Sequence, residues 1–111
     1  MIKDSICIIK LSGIFDGTKA NTFHGDVRRA LNEGADIILA DCQELGFMDS
    51  SGLGAMIVAL KMIRAAGKRF CLCAINKQVS MLFDLTDTRR VFEIFDTQDE
   101  FNAQMSQNLR S

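Results

Sequence analysis

The chain has 111 residues, 48% of them apolar, a net charge of -1, and no Trp, Tyr or Pro. That length points to one domain, with a core that Leu, Ile, Met and Phe must supply. The balanced charge excludes a whole-surface field for nucleic acid or anionic lipid. No apolar run approaches the ~20 residues that span a membrane, and no signal-peptide pattern follows Met1, so a cytoplasmic protein without nucleic-acid or membrane partners is expected.

Ser5 to Ser12 is rich in β-branched residues and reads as a strand that Gly13 bends or ends. Ahead of it, Met1-Ile2-Lys3 is long enough only for a vestigial strand. Asp16-Gly17-Thr18 is a turn that opens a helix, and Ala20, Phe23, Val27 and Leu31 recur on one helical face. Gly25 weakens that helix by about 1 kcal/mol relative to alanine, and Gly34 stops it. His24 falls off the stripe with no acidic or cysteine neighbour at helical spacing, so it is expected in solvent.

Ile37-Ile38-Leu39-Ala40 lacks polar alternation, as in a central strand buried on both faces. Residues 41–48 read as a loop. The helix that follows carries Leu53, Ile57, Leu60 and Ile63 as its core stripe. Met56, Val58 and Met62 widen that stripe, and Gly67 closes the helix. Residues 70–75 read as a second buried strand, Val79, Leu82 and Phe83 suit a short helix, and residues 91–95 suit a last strand. Thr97-Gln98-Asp99-Glu100 is a capping box in which Glu100 reaches back to the Thr97 amide. Phe101, Met105 and Leu109 give the last helix its stripe, and residues 105–111 are expected to fray.

Cys71 and Cys73, two apart on one strand, share a face and are poorly placed to bond each other. All four cysteines read as buried free thiols. With one histidine and no Cys-x-x-Cys spacing, no metal or cofactor is expected. The alternation of strands and helices indicates an α/β domain around a mostly parallel sheet, with sites beyond the carboxyl ends of its strands.

At such an end stands Phe47-Met48-Asp49-Ser50-Ser51-Gly52-Leu53-Gly54, a strand-to-helix connection. Helix N-termini expose unpaired amides and positive potential, so a side chain can cap there and a phosphate is well received. A serine nucleophile would need a base and an oxyanion hole, and nothing in the sequence brings His24 to Ser50. The Gly-x-Ser-x-Gly elbow and a Gly-Lys-Ser/Thr phosphate loop are both absent. The residues alone leave two readings open: Asp49, Ser50 and Ser51 only cap the helix, or one hydroxyl has other work.

The same stretch resembles the signature of the STAS-domain anti-sigma factor antagonists of bacteria. Leu11-Ser12-Gly13-Ile14-Phe15-Asp16, Leu82-Phe83-Asp84-Leu85-Thr86 and Val91-Phe92-Glu93-Ile94-Phe95-Asp96-Thr97 extend the resemblance through nearly the whole chain. It implies a single STAS-like domain over 1–111, a four- to five-stranded mixed sheet with about four helices. It further implies a non-enzymatic protein in which Ser50 is phosphorylated by a partner serine kinase that is itself the anti-sigma factor, and reset by a PP2C-type phosphatase. The partner surface it implies joins Asp16, Gly17 and Thr18 to Asp49, Ser51, Gly52 and Gly54. A constitutive STAS-type scaffold or ligand-binding module is the other reading. Asp87-Thr88-Arg89 departs from the Gly-Leu usual in the family at that turn.

Overall fold

Among the described residues four strands form one sheet, laid side by side in chain order, and every pairing is parallel. The computed structural model describes residues 5–110, with side chains to Ser106. The strands are β1 (Ile6–Phe15), β2 (Ile37–Met48), β3 (Arg69–Cys73) and β4 (Glu93–Phe95). The helices are α1 (Ala20–Asn32), α2 (Ser50–Ala65), α3 (Lys77–Leu85) and α4 (Gln98–Arg110), with 3-10 turns at Gly17–Lys19 and Arg89–Val91. Over the described residues the expected mixed sheet is therefore corrected to a parallel one. Each strand returns through a helix, and such crossovers join parallel strands. The vestigial strand expected at residues 1–3 falls outside the described residues, as does the side chain of Leu109.

Residues 41–48, expected as a loop, are the second half of β2. The pairing with β3 ends at Asp41 opposite Cys73, so beyond it β2 has only β1 beside it. This half is buried at Leu45 and Met48 and exposed at Gln43, Glu44, Gly46 and Phe47. Its polar residues look like a loop but are the solvated side of a two-strand ribbon. β1 likewise runs past Gly13, which takes φ +67° within a stretch of shifted register and bends the strand without ending it.

The sheet separates two cores. Ile38, Ala40 and Cys42 face α1, α2 and α3, while Ile37 and Leu39 face α4 with Cys71, Cys73, Phe101 and Met105. This is the period-two alternation of a strand buried on both sides. Phe15 meets Phe23 of α1 edge-on at 5.3 Å, and Phe83 of α3 stacks on Phe92 at 5.3 Å. The cysteines are free, three of them buried, and burial pushes the Cys42 and Cys71 thiols up to about 12.

Several local expectations change. His24 is half-buried, and its Nε2 donates to the Ala55 carbonyl of α2 at 2.8 Å. It flanks Phe23, close enough to the core stripe to reach the neighbouring helix. Val58 is exposed on the outer face of α2. Ala74, at φ +60°, ends β3 two residues early, and the last strand is shortened because residues 89–91 take a 3-10 turn. Glu100 accepts from the Asp96 amide rather than from Thr97, whose hydroxyl accepts from the Glu100 amide. The stretch expected to fray from residue 105 begins with a buried Met105 inside α4. Asp87 stands at φ +57°, a conformation that aspartate tolerates better than most side chains.

One approach between elements is closer than the rest. A Cβ placed on Gly52 would lie 2.1 Å from the Phe15 carbonyl oxygen, far inside van der Waals contact. Gly54, one turn-step further along α2, has nothing within 4 Å of its Cβ position. Gly52→Ala is therefore expected to cost at least about 2 kcal/mol of stability by overpacking. Gly54→Ala should add about 0.5–1 kcal/mol by helix propensity. Urea unfolding of the two variants checks the contrast.

Candidate functional site

The end of β1 and the end of β2 lie side by side, with Phe15 opposite Met48 in the register. Each strand passes directly into a capped turn. After β2, Asp49 is extended (φ −103°, ψ −176°), and its Oδ1 accepts from the Gly52 amide at 2.8 Å as the N-cap of α2. After β1, Asp16 is extended as well, and its carboxylate accepts from the Thr18 amide at 3.0 Å and from the Thr18 hydroxyl. The Thr18 hydroxyl, more than any other group, holds the Asp16 carboxyl below its usual range. The two turns touch: the Asp49 amide donates to Phe15 at 3.4 Å, and a Cβ on Gly17 would meet the Ser51 side chain at 3.4 Å.

Because Asp49 is the cap, neither Ser50 nor Ser51 is used for it, and both are exposed in the first turn of α2. Ser50 opens the helix, where unpaired amides and the positive end of the dipole lie. Gly17 and Thr18 are exposed beside them, and Gly54 is exposed further along the helix. Gly52 is buried, so its part is to admit the end of β1 rather than to present a surface. Lys19 donates to the Ile14 carbonyl at 2.8 Å. His24, occupied with Ala55, does not pair with either serine. Among the described residues, no three His, Cys, Asp or Glu side chains group as metal ligands, and no helix is long and apolar enough to cross a membrane.

Two residues that sequence reading passes over hold this site from α3. Gln78 accepts from the Met48 amide at 2.9 Å and donates Nε2–H to the Met48 carbonyl at 2.7 Å. Asn76 caps α3 through the Val79 amide and donates to the carbonyls of Leu45 and Gly46 at 3.1 and 3.0 Å. Asn-x-x-Val before an apolar stripe is a readable cap signal. Gln78 carries no such signal, since its contact spans thirty residues of chain.

The STAS domain family model matches residues 1–101. The chain is 29% identical over 99 residues to the anti-sigma F factor antagonist of Paenibacillus polymyxa, covering 88% of this chain and 83% of that one. The crystal structure of TM1081 from Thermotoga maritima is similar with a TM-score of 0.82 at 27% identity, covering 96% of this chain and 92% of that one. The Bacillus protein SpoIIAA in its phosphorylated form is similar at TM-score 0.70 and 20% identity over 94% of each chain, a likeness of fold alone.

The α3 clamp has a measurable consequence. Gln78→Leu leaves the Met48 amide and carbonyl without partners, and should cost about 1–3 kcal/mol of stability. Hydrogen exchange at the Met48 amide should accelerate in this variant; unchanged exchange there would show that the clamp does not hold the strand end.

Proposed function

This chain belongs to the STAS domain family, and from there we propose that it is an anti-sigma factor antagonist controlled by phosphorylation of Ser50. The unphosphorylated form binds an anti-sigma factor that is also a serine kinase, and so releases that factor's target. Phosphate on Ser50 ends the binding, and a PP2C-type phosphatase restores it. The chain itself is not an enzyme and acts in the cytoplasm. The observation that carries this reading is the exposure of Ser50 at the start of α2 with its cap supplied by Asp49.

The electrostatics support a switch of binding rather than of fold. A phosphate adds about -1.5 to -2 charges, a large change for a chain of net charge -1. The helix N-terminus favours that charge, so the host helix tolerates it. A docked partner that had accepted a neutral hydroxyl would instead bury a dianion beside Asp49, at a cost of several kcal/mol, with each 1.4 kcal/mol tenfold in affinity.

Ser50→Ala should keep the fold and the partner affinity while accepting no phosphate, and Ser50→Asp should weaken binding at least about tenfold. Incubation with the cognate kinase and ATP, followed by peptide mapping, is the test. Phosphate found only on Ser51 would sink the assignment, and its absence from both serines would leave a constitutive scaffold.

Asp16 is the proposed charged contact on the neighbouring turn. Asn can still accept from Thr18, so Asp16→Asn should melt like the parent yet bind the kinase more weakly and with less salt dependence. Unchanged affinity at low salt would reduce Asp16 to a cap.

A further inference from the structure

The two turns of the site are each preceded by an exposed apolar side chain, and the register sets these two opposite each other. Ile14 of β1 pairs with Phe47 of β2, and they are 55% and 45% exposed. Their neighbours Phe15 and Met48 point into the core under α1 and α2, so Ile14 and Phe47 stand on the other face of the sheet. On that face α4 covers Ile37, Leu39, Cys71 and Cys73. These residues lie at the far end of β2 and on β3, so the Ile14–Phe47 pair is left outside the α4 core.

We propose that Ile14 and Phe47 form the apolar anchor by which the partner kinase docks beside Ser50. This rests on the Ser50 reading and extends its surface around the sheet end to the opposite face. Continuity argues for one occupant: Phe47 lies three residues before Ser50, and Ile14 two before Asp16. The rim carries two carboxylates, Asp16 and Asp49, while the ammonium of Lys19 is held on the Ile14 carbonyl. The fitting partner surface is an apolar slot bordered by basic groups. A buried aromatic at the centre of an interface with a charged rim is where binding energy concentrates. The anchor grips the protein equally before and during phosphoryl transfer, so it acts on binding and not on the chemical step.

The test is steady-state phosphorylation of Ser50 by the cognate anti-sigma kinase with Phe47→Ala, Ile14→Ala and, as a control, Leu85→Ala. Leu85 is 79% exposed at the carboxyl end of α3. Phe47→Ala should raise KM about 10- to 30-fold with kcat unchanged, and Ile14→Ala should raise it less. Both should melt like the parent, because neither side chain is in the core. Leu85→Ala should leave KM as it is. An unchanged KM for Phe47→Ala overturns the anchor while the Ser50 reading stands. An equal rise for Leu85→Ala overturns it too, because the effect would then be non-specific. A wild-type dimer in sedimentation that Phe47→Ala splits would assign the pair to self-association. Failure of the kinase to modify wild-type Ser50 overturns both readings.

Discussion

The contact on which the site depends is the Phe15 carbonyl set against the Cα of Gly52. Any side chain at residue 52 would push the start of α2 off the end of β1. With glycine there, the Asp49 amide reaches Phe15 and Gly17 comes against Ser51. The two turns then become one surface. Parallel pairing of adjacent strands makes this possible, because it puts the carboxyl ends of β1 and β2 at the same edge. Gly52 is therefore required by packing, two residues after the exposed Ser50.

Capping and display are assigned to different residues. Asp49 satisfies the Gly52 amide and leaves the hydroxyl of Ser50 in solvent. Had Ser50 been the cap, modification would have removed a bond that the helix needs. As built, a charge added there meets favourable helix potential and unused first-turn amides. The effect of such an added charge would then fall on whatever faces the surface.

Much of this was legible in sequence because the signals are local. The helical stripe through Phe23 and Val27, the unbroken apolar run at Ile37 to Ala40, and the serine-glycine motif at a strand–helix boundary all depend on short spacings. The misreadings share the opposite property. The second half of β2 lost its strand signature because it is paired on one side only and carries Gln43 and Glu44 in solvent. His24 read as solvated because its partner, the Ala55 carbonyl, belongs to another helix. The opposition of Ile14 to Phe47 depends on two register shifts along β1, and residue spacing does not encode their positions. Gln78 was invisible for the same reason: a glutamine at a helix start says nothing about which strand it will hold.

The α3 contacts explain how a two-strand ribbon can present a site at all. Beyond Asp41, β2 has lost β3 as a neighbour, and its outer backbone groups would be left to water. Asn76 and Gln78 replace the missing strand with side-chain amides at Leu45, Gly46 and Met48. Each of these amides both tethers the ribbon and limits how far it frays. The ribbon is therefore fixed on its helix side by α3 and on its edge side by β1, and the residues between those supports point outward. Phe47 and Ser50 are exposed because their neighbours Met48 and Gly52 are fully engaged. A rigid support of this kind would let a change at one exposed hydroxyl alter the surface without passing through the fold.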